Sequence, residues 1–314
     1  MKALVTGAAG FIGSNLSERC LDLGWNVVGL DCLTDYYPRE EKLANIEIAR
    51  ASDRYEFLEA NLLDHDLVAL LDDVDVVFHQ AGQPGVRASW ADGFADYLNW
   101  NVLATQRLLE AATTSSLKRF VYASSSSVYG AAETFPTTEE TLPAPRSPYG
   151  VTKLAGEHLS SLYAANFGVP TAALRYFTVY GPRQRPDMAT HRLLECGMTG
   201  GTFELYGSGE AVRDFTYVGD VVEANVLAST SNVEPGTIMN IAGGSSVSMN
   251  QLIEVAGDAV GTPINVRRTE VARGDVPKTH ASTDAAQTVL GWAPQVSIHE
   301  GVRRQAETVR ARLS

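Results

Sequence analysis

Residues 2–13 read KALVTGAAGFIG, a short apolar run that leads directly into three glycines spaced three residues apart. An apolar run of this length, bounded by glycine, is typical of a buried parallel strand. A helical pattern through Leu16, Cys20 and Leu23 follows, and a second apolar run then ends at Asp31. This order of strand, glycine loop, helix and strand predicts the first unit of a doubly wound α/β fold.

The glycine loop and Asp31 together predict a dinucleotide-binding site. Gly7, Gly10 and Gly13 let the backbone approach a pyrophosphate, and the N-terminus of the following helix attracts its negative charge. Asp31 is placed to hold the hydroxyls of the adenosine ribose and would repel a 2′-phosphate, which favours NAD over NADP. The alternative, a glycine-rich turn without a ligand, is disfavoured by the flanking strand and the acidic residue.

The alternation of strands and helices continues as far as Tyr176. Further strands are predicted at residues 55–60, 74–78, 120–123 and 171–175, and helices at 94–115 and 149–167. Such alternation predicts a parallel, doubly wound (Rossmann) sheet whose ligands sit beyond the carboxyl ends of the strands. Gly7, Asp31, Gln80 and the serine run that starts at Ser124 all follow strand ends, so we expect them to meet in one crevice.

The pattern after Tyr176 is less regular. It predicts helices at 190–198, 219–230, 248–259 and 298–312 and a strand at 203–206. We expect residues 1–175 to form the NAD-binding Rossmann domain, which also receives parts of about 214–242. Residues 176–314 are expected to form a smaller C-terminal α/β lobe, with the substrate in the cleft between the two.

The chain of 314 residues is long enough for one large domain or two smaller ones. Its net charge of -12 argues against nucleic acid or an anionic membrane surface as a partner. Three scattered cysteines, Cys20, Cys32 and Cys196, indicate a reducing compartment, and no Cys/His cluster has the spacing of metal ligands. The N-terminus does not resemble a signal peptide and no apolar run could span a bilayer, so we expect a cytoplasmic protein.

Tyr149 and Lys153 form a Tyr-x-x-x-Lys motif at the start of a predicted helix. The i, i+4 spacing stacks the phenol and the ammonium group on one helical face. A free tyrosine has a pKa of about 10, and a nearby lysine cation lowers it by favouring the phenolate. The pair therefore predicts a general base that takes a proton from a substrate hydroxyl, although an exposed helical pair without catalytic function has the same spacing.

Several motifs together resemble the extended short-chain dehydrogenase/reductase family, and the resemblance covers essentially the whole chain. They are Gly7-x-x-Gly10-x-x-Gly13, Asp31, Ser125, Tyr149-x-x-x-Lys153 and Arg175-Tyr176-Phe177. Within this family the chain is most similar to the nucleotide-sugar 4-epimerases that act on UDP-glucuronate. Residues 123–130, 85–87 and 175–188 carry this narrower resemblance.

The resemblance implies a catalytic cycle in which NAD stays bound. Tyr149 would take the proton from the sugar 4-hydroxyl while the C4 hydride passes to NAD, and Lys153 would hold the nicotinamide ribose. Ser125 would hydrogen-bond the 4-oxygen, with Ser126 as the alternative for this contact. Together with the glycine-loop argument, the implied cofactor-binding residues are Gly7, Gly10, Phe11, Ile12, Gly13, Asp31, Asn61, Leu62, Gln80, Ala81, Gly82, Asn101, Tyr149, Lys153 and Tyr176.

The resemblance also implies a uronate substrate. A 4-keto glucuronate is a β-keto acid that loses CO2 easily, so the enzyme must hold its carboxylate in a geometry that disfavours decarboxylation. Related decarboxylases carry a glutamate where this chain has Ser127, and 4,6-dehydratases carry an Asp-Glu pair at Ser126-Ser127, which disfavours both activities. The implied substrate-binding residues are Ser125, Ser126, Ser127, Thr178 and Arg185 for the sugar, Arg213 and Arg273 for the diphosphate and ribose, and Arg87 and Arg192 as weaker candidates.

Two other functions stay open. A UDP-glucose 4-epimerase usually carries asparagine after Tyr-Phe, where this chain has Thr178. A non-catalytic NAD-binding sensor would have no need of Ser125, Tyr149 and Lys153 together. The resemblance further implies a homodimer formed through two long helices, at 94–115 and 147–167, and leaves open whether neutral UDP-sugars are also accepted.

Overall fold

The computed structural model describes residues 1–270 and 276–313 and is built on a seven-stranded sheet. In chain order the strands are β1 (Lys2–Thr6), β2 (Asn26–Asp31), β3 (Tyr55–Glu59), β4 (Val76–His79), β5 (Arg119–Ser125), β6 (Thr171–Tyr176), β7 (Val179–Tyr180), β8 (Thr202–Tyr206), β9 (Val212–Tyr217), β10 (Thr237–Ile241), β11 (Ser245–Ser248) and β12 (Asn265–Thr269). The large sheet has the order β10-β6-β5-β4-β1-β2-β3, and every neighbouring pair is parallel. The predicted Rossmann fold is confirmed.

Helices cover both faces of this sheet, and others pack beside the smaller sheets. In chain order the α-helices are α1 (Phe11–Asp22), α2 (Arg39–Asn45), α3 (Glu47–Arg50), α4 (Leu67–Leu71), α5 (Phe94–Tyr97), α6 (Ala104–Ala112), α7 (Pro148–Phe167), α8 (Ala189–Thr199), α9 (Val218–Thr230), α10 (Met249–Val260), α11 (Asp284–Leu290) and α12 (Ile298–Leu313). Within residues 1–270 and 276–313, none of them combines the length and the apolar character that a bilayer-spanning helix needs.

The apolar strands are explained by burial on both faces. Ala3 and Val5 of β1 pack into one cluster with α1 and α9, whereas Leu4 points into a second cluster with α4, α6 and α7. All three side chains are fully buried. Because successive side chains of a strand alternate between the two faces, a strand covered on both sides has no polar positions and reads as a continuous apolar run.

Helix α7 begins where the sequence predicts a catalytic tyrosine. The Ser147 hydroxyl accepts a hydrogen bond from the Gly150 N–H, and Pro148 occupies the first helical turn, where its missing N–H is not needed. The helix ends at Gly168, which adopts a left-handed conformation with φ 71°. These signals fix Tyr149 in the first turn of α7.

The helix predicted at 94–115 is present as an unbroken helical run over residues 94–112, but it is not α-helical throughout. The segment consists of α5, a π-helical stretch at Leu98–Leu103 and α6. The π-helical stretch contains Asn101, whose side chain bonds the backbone of Gln83 twice, at 2.7 and 3.0 Å. Periodicity alone does not reveal such an insertion, since the residues remain helical in pattern while the register shifts.

The part of the chain after Tyr176 contributes both to the large sheet and to smaller sheets. Strand β10 pairs with β6 at the edge of the large sheet, while β11-β9-β7 and β12-β8 form a three-stranded and a two-stranded sheet. Helices α8, α10 and α12 pack against each other beside these sheets. The four helices predicted after Tyr176 are confirmed as α8, α9, α10 and α12, each within one residue at either end.

Candidate active site

The glycine loop between β1 and α1 forms a tight cradle at the carboxyl end of β1, which is an inner strand of the large sheet. Gly7 adopts φ +68°, and a Cβ atom at this position would lie 2.8 Å from the backbone nitrogen of Ala81. A Cβ atom at Gly13 would lie only 2.2 Å from the carbonyl oxygen of Gly7. Helix α1 begins after Gly10 without a side-chain cap. The cradle therefore offers uncapped backbone N–H groups at close range, which suits the pyrophosphate of a dinucleotide.

Asp31 ends β2 and is held by the backbone. Its Oδ2 accepts the N–H of Ala9 at 3.1 Å, and its Oδ1 accepts the N–H of Leu33 at 2.8 Å. Burial raises the pKa of this carboxyl, while the hydrogen bond from Leu33 and the charge of Lys42 oppose the rise. The carboxylate lines the same cavity as the glycine loop, as the sequence argument requires.

Two residues near Asp31 were not predicted from the sequence. Lys42 is buried, binds the carbonyl and hydroxyl oxygens of Thr34, and has its pKa lowered by burial. The buried hydroxyl of Tyr37 has no hydrogen-bond partner within the described residues, and its ring lies 4.8 Å from Lys42 Nζ. An unsatisfied hydroxyl beside a ribose-binding carboxylate fits the adenosine end of NAD, because buried polar groups are normally paired.

One cavity runs from Asp31 to Lys153 and contains most of the predicted cofactor-binding residues. Gly7, Gly10, Phe11, Ile12, Gly13, Asp31, Leu62, Gln80, Ala81, Gly82, Tyr149, Lys153 and Tyr176 all line it. Asn61 and Asn101 lie outside this lining. Asn61 accepts the N–H of Leu63 at 2.8 Å, and the buried Asn101 ties the loop at Gln83 to Thr152 of α7. Both asparagines shape neighbouring backbone.

Tyr149 also lines this cavity. Its ring and that of Tyr97 pack edge to face, with the centroids 6.2 Å apart. Burial raises the pKa of Tyr149, while the neighbouring Ser125 hydroxyl and the charge of Arg185 act in the opposite direction. We expected Lys153 to lower this pKa, but the opposing influences come from Ser125 and Arg185, and burial, which disfavours the phenolate, has the larger effect.

Lys153 lies one turn along α7 from Tyr149. Its ammonium group donates to the carbonyl oxygen of Ala123 at 2.9 Å and lies 5.3 Å from the centre of the Tyr122 ring. Burial lowers the pKa of Lys153 to about 8, and the nearby carboxylate of Glu157 opposes this shift. The lysine is therefore still largely charged near neutral pH and lines the cavity beside Tyr149.

The four consecutive serines divide into three environments. The hydroxyl of Ser124 is buried against Glu157 of α7. Ser125 lies beside Tyr149 and accepts the N–H of Ser127 at 3.1 Å. Ser126 and Ser127 instead line a second cavity. The strand end at Ser125 and the short 3-10 turn at Ser126–Val128 produce this division.

The second cavity gathers most of the predicted substrate-binding residues. Arg87, Ser126, Ser127, Thr178 and Arg213 line it, together with Arg146, Ser147 and Thr279. The guanidinium of Arg87 lies 3.9 Å from the centre of the Tyr206 ring. Arg146 was not predicted, although its place immediately before the N-cap of α7 could have indicated it. Three arginines in one cavity make a positive site in an acidic protein, which suits a diphosphate.

The remaining predicted arginines lie elsewhere. Arg185 lines the first cavity with Tyr149 and is only 16% exposed. Arg192 lies outside the lining of both cavities, with its guanidinium 5.4 Å from the centre of the Phe203 ring. Arg273 falls outside the described residues.

Comparisons with known proteins point to one family. The sequence profile of the NAD dependent epimerase/dehydratase family matches residues 3–242. The chain is 41% identical to an uncharacterized UDP-glucose epimerase of Bacillus subtilis (strain 168), over 97% of this chain and 96% of the relative. It is 36% identical to a probable UDP-glucuronate 4-epimerase of Rhizobium meliloti (strain 1021), over 98% and 96% of the two chains.

A solved structure extends this similarity to three dimensions. The UDP-glucuronic acid 4-epimerase of Bacillus cereus, crystallised with UDP-glucuronic acid and NAD, superimposes with a TM-score of 0.96 at 40% identity over 99% of both chains. Its bound NAD agrees with the glycine cradle and Asp31 described above, and the prediction of NAD as the cofactor is confirmed. The chain belongs to the NAD dependent epimerase/dehydratase family.

Proposed function

We propose that this NAD-dependent enzyme is a UDP-sugar 4-epimerase that interconverts UDP-glucuronate and UDP-galacturonate without decarboxylation. The observation that carries the proposal is the presence of Arg185 in the same cavity as Tyr149, close enough for its charge to lower the pKa of the tyrosine. An arginine beside the catalytic base suits a sugar that carries a carboxylate near its reacting carbon. The named relatives include epimerases of both uronate and neutral UDP-sugars.

The proposed chemistry assigns one step to each residue. Tyr149 removes the proton of the sugar 4-hydroxyl, and Ser125, which lies beside the tyrosine, binds the 4-oxygen. The C4 hydride passes to the bound NAD and returns to the opposite face of the sugar. Lys153, which keeps most of its charge near neutral pH, holds the nicotinamide ribose beside Tyr149. Arg213 and Arg87 of the second cavity bind the diphosphate, and Arg273 is proposed to assist them.

The carboxylate is assigned to Arg185, Thr178, Ser126 and Ser127. The hydroxyl groups of the serines line the second cavity, at the end of the strand that also carries Ser125. They offer neutral donors, and Ser127 stands where related decarboxylases carry a glutamate. A carboxylate that is bound only by hydrogen-bond donors is stabilised as the anion, whereas a neighbouring glutamate would repel it and promote the loss of CO2.

Arg185→Gln tests the uronate assignment. We expect the KM for UDP-glucuronate to rise by about 100-fold, because two charge-assisted hydrogen bonds contribute roughly 1.5 kcal/mol each. Binding of UDP, which lacks the uronate, should be unchanged. The control Arg192→Gln removes an arginine that lies outside both cavities and should leave the KM unaltered. Equal losses for UDP and UDP-glucuronate would contradict a specific contact with the carboxylate.

Proton NMR of the purified enzyme without added NAD tests the function itself. Formation of UDP-galacturonate from UDP-glucuronate, without conversion of UDP-glucose, is the expected outcome. Conversion of UDP-glucose alone would assign the enzyme to the neutral-sugar epimerases, the second candidate, which the name of the Bacillus subtilis relative favours. Formation of a UDP-pentose would contradict the argument from Ser127.

We also propose that the enzyme is a homodimer in the cytoplasm. The π-helical stretch packs beside α7, and these two elements expose Leu98, Leu103, Val151 and Leu162, each between 43% and 53% accessible. Exposed apolar side chains on adjacent helices are typical of a protein interface. Sedimentation at twice the chain mass of 33.8 kDa would support the dimer, and sedimentation at the chain mass would contradict it.

A further inference from the structure

Arg185 is already paired with a carboxylate of its own chain. Its Nε lies 2.9 Å from Oδ1 of Asp187, and its Nη2 lies 3.1 Å from Oδ2, so the two groups meet edge to edge. The arginine is 16% exposed and the aspartate 45% exposed. Both residues lie in the connection between β7 and α8, and Arg185 lines the cavity that contains Tyr149.

This pairing uses only one edge of the guanidinium. Of the five N–H groups of an arginine, the Nε–H and one Nη2–H point to Asp187. Three N–H groups remain, of which one Nη1–H and the second Nη2–H form the other bidentate edge of the fork. Tyr36 supports the pair, because its hydroxyl donates to Asp187 Oδ2 at 3.4 Å and its ring centre lies 5.6 Å from the guanidinium.

The counter-ion changes how strongly Arg185 attracts a substrate carboxylate. A single guanidinium in a poorly solvated cavity would bind an anion with nearly its full charge. With Asp187 attached, the pair is neutral overall, so a second carboxylate gains the hydrogen bonds of the open edge but less Coulomb attraction. A 4-epimerase must bind its substrate specifically but must also let the contacts to the sugar break within the site, because the keto sugar turns between the two hydride transfers.

We propose that Asp187 is a positioning residue that weakens the binding of the uronate carboxylate by Arg185, so that the 4-keto sugar can turn within the site. The inference rests on the proposed function. Asp187 acts through Arg185 and needs no contact with the reacting atoms. Without its charge, the enzyme binds the uronate too tightly in one orientation, and the turning step becomes slower.

Asp187→Asn keeps the shape of the side chain and removes its charge. We expect both kcat and KM for UDP-glucuronate to fall by about tenfold, because tighter binding of the state that must turn raises the barrier to turning. The ratio kcat/KM should stay nearly constant. In a Tyr149→Phe background, where conversion is blocked, calorimetry should give a Kd for UDP-glucuronate about tenfold lower and an unchanged Kd for UDP.

Two further variants complete the test. Asp187→Ser removes the carboxylate altogether and should change kcat and KM in the same direction. Asp258→Asn removes an exposed charge on α10, outside the lining of both cavities, and should change neither. If KM and Kd rise and kcat/KM falls in the Asp187 variants, Asp187 orients Arg185 for tighter binding. This result would overturn the inference about Asp187 and leave the proposed function intact. A wild-type enzyme that converts only UDP-glucose would contradict the proposed function and this inference with it.

Discussion

Tyr149→Phe is expected to lower kcat by about 100- to 10,000-fold while the enzyme keeps its NAD. The substitution removes only the hydroxyl beside Ser125, and loss of a positioned general base has an effect of this size. The aromatic ring remains packed against Tyr97, so the cavity wall is preserved. Turnover is followed by proton NMR, and NAD content is measured after denaturing the purified protein.

A second tyrosine of α7 provides the control for this prediction. Tyr163 also carries a bonded hydroxyl, which contacts Glu110 and Gln106, but it does not line either cavity. Tyr163→Phe should therefore leave kcat within about twofold of the wild type. Equal activity of the Tyr149→Phe variant and the wild type would favour the non-catalytic NAD-binding sensor. Loss of NAD from the variant would instead assign Tyr149 to cofactor retention.

The sequence predicted those features that local rules determine. Apolar runs that end in Gly7 and Asp31 identify parallel strands and a dinucleotide loop, because buried parallel strands have no polar face. Ser147 and Pro148 mark the start of α7 by the chemistry of helix capping. The predicted strands of the large sheet accordingly lie within about two residues of the observed ones.

Features that depend on contacts between distant parts of the chain were not predictable in this way. Strand β10 lies in the part of the chain that was expected to join the Rossmann domain, but nothing in its own five residues identifies β6 as its neighbour. Lys42 and Tyr37 reach the cavity from the segment after β2, and only the folded backbone directs their side chains there. Asp187 is two residues from Arg185, yet the sequence cannot show that their side chains meet edge to edge.

Glu157→Gln is expected to lower the free energy of unfolding by about 3–5 kcal/mol, because it leaves a buried guanidinium without its counter-ion. The two carboxylate oxygens of Glu157 accept Nε and Nη2 of Arg175, each at 2.8 Å, and both side chains are at most 3% exposed. Denaturation in urea measures the loss. Glu307→Gln, which breaks an exposed pair with Arg303, should leave stability almost unchanged, because water screens exposed ion pairs.

Glu157→Gln should also change the pH dependence of turnover. Burial lowers the pKa of Lys153 to about 8, and the charge of Glu157 keeps it from falling further. A lysine is charged below its pKa, so activity that needs the cation is lost as the pH rises through that value. Removing the carboxylate lowers the pKa of Lys153, and the alkaline loss of kcat should therefore begin at a lower pH. A variant that is less stable but keeps the wild-type pH profile would restrict Glu157 to a structural role. Arg175 also donates to the hydroxyl of Tyr129 at 2.7 Å, and Tyr129 in turn donates to Asn240 of β10. A shifted pH profile would mean that Glu157 maintains the charge of the catalytic lysine as well as this buried structural network.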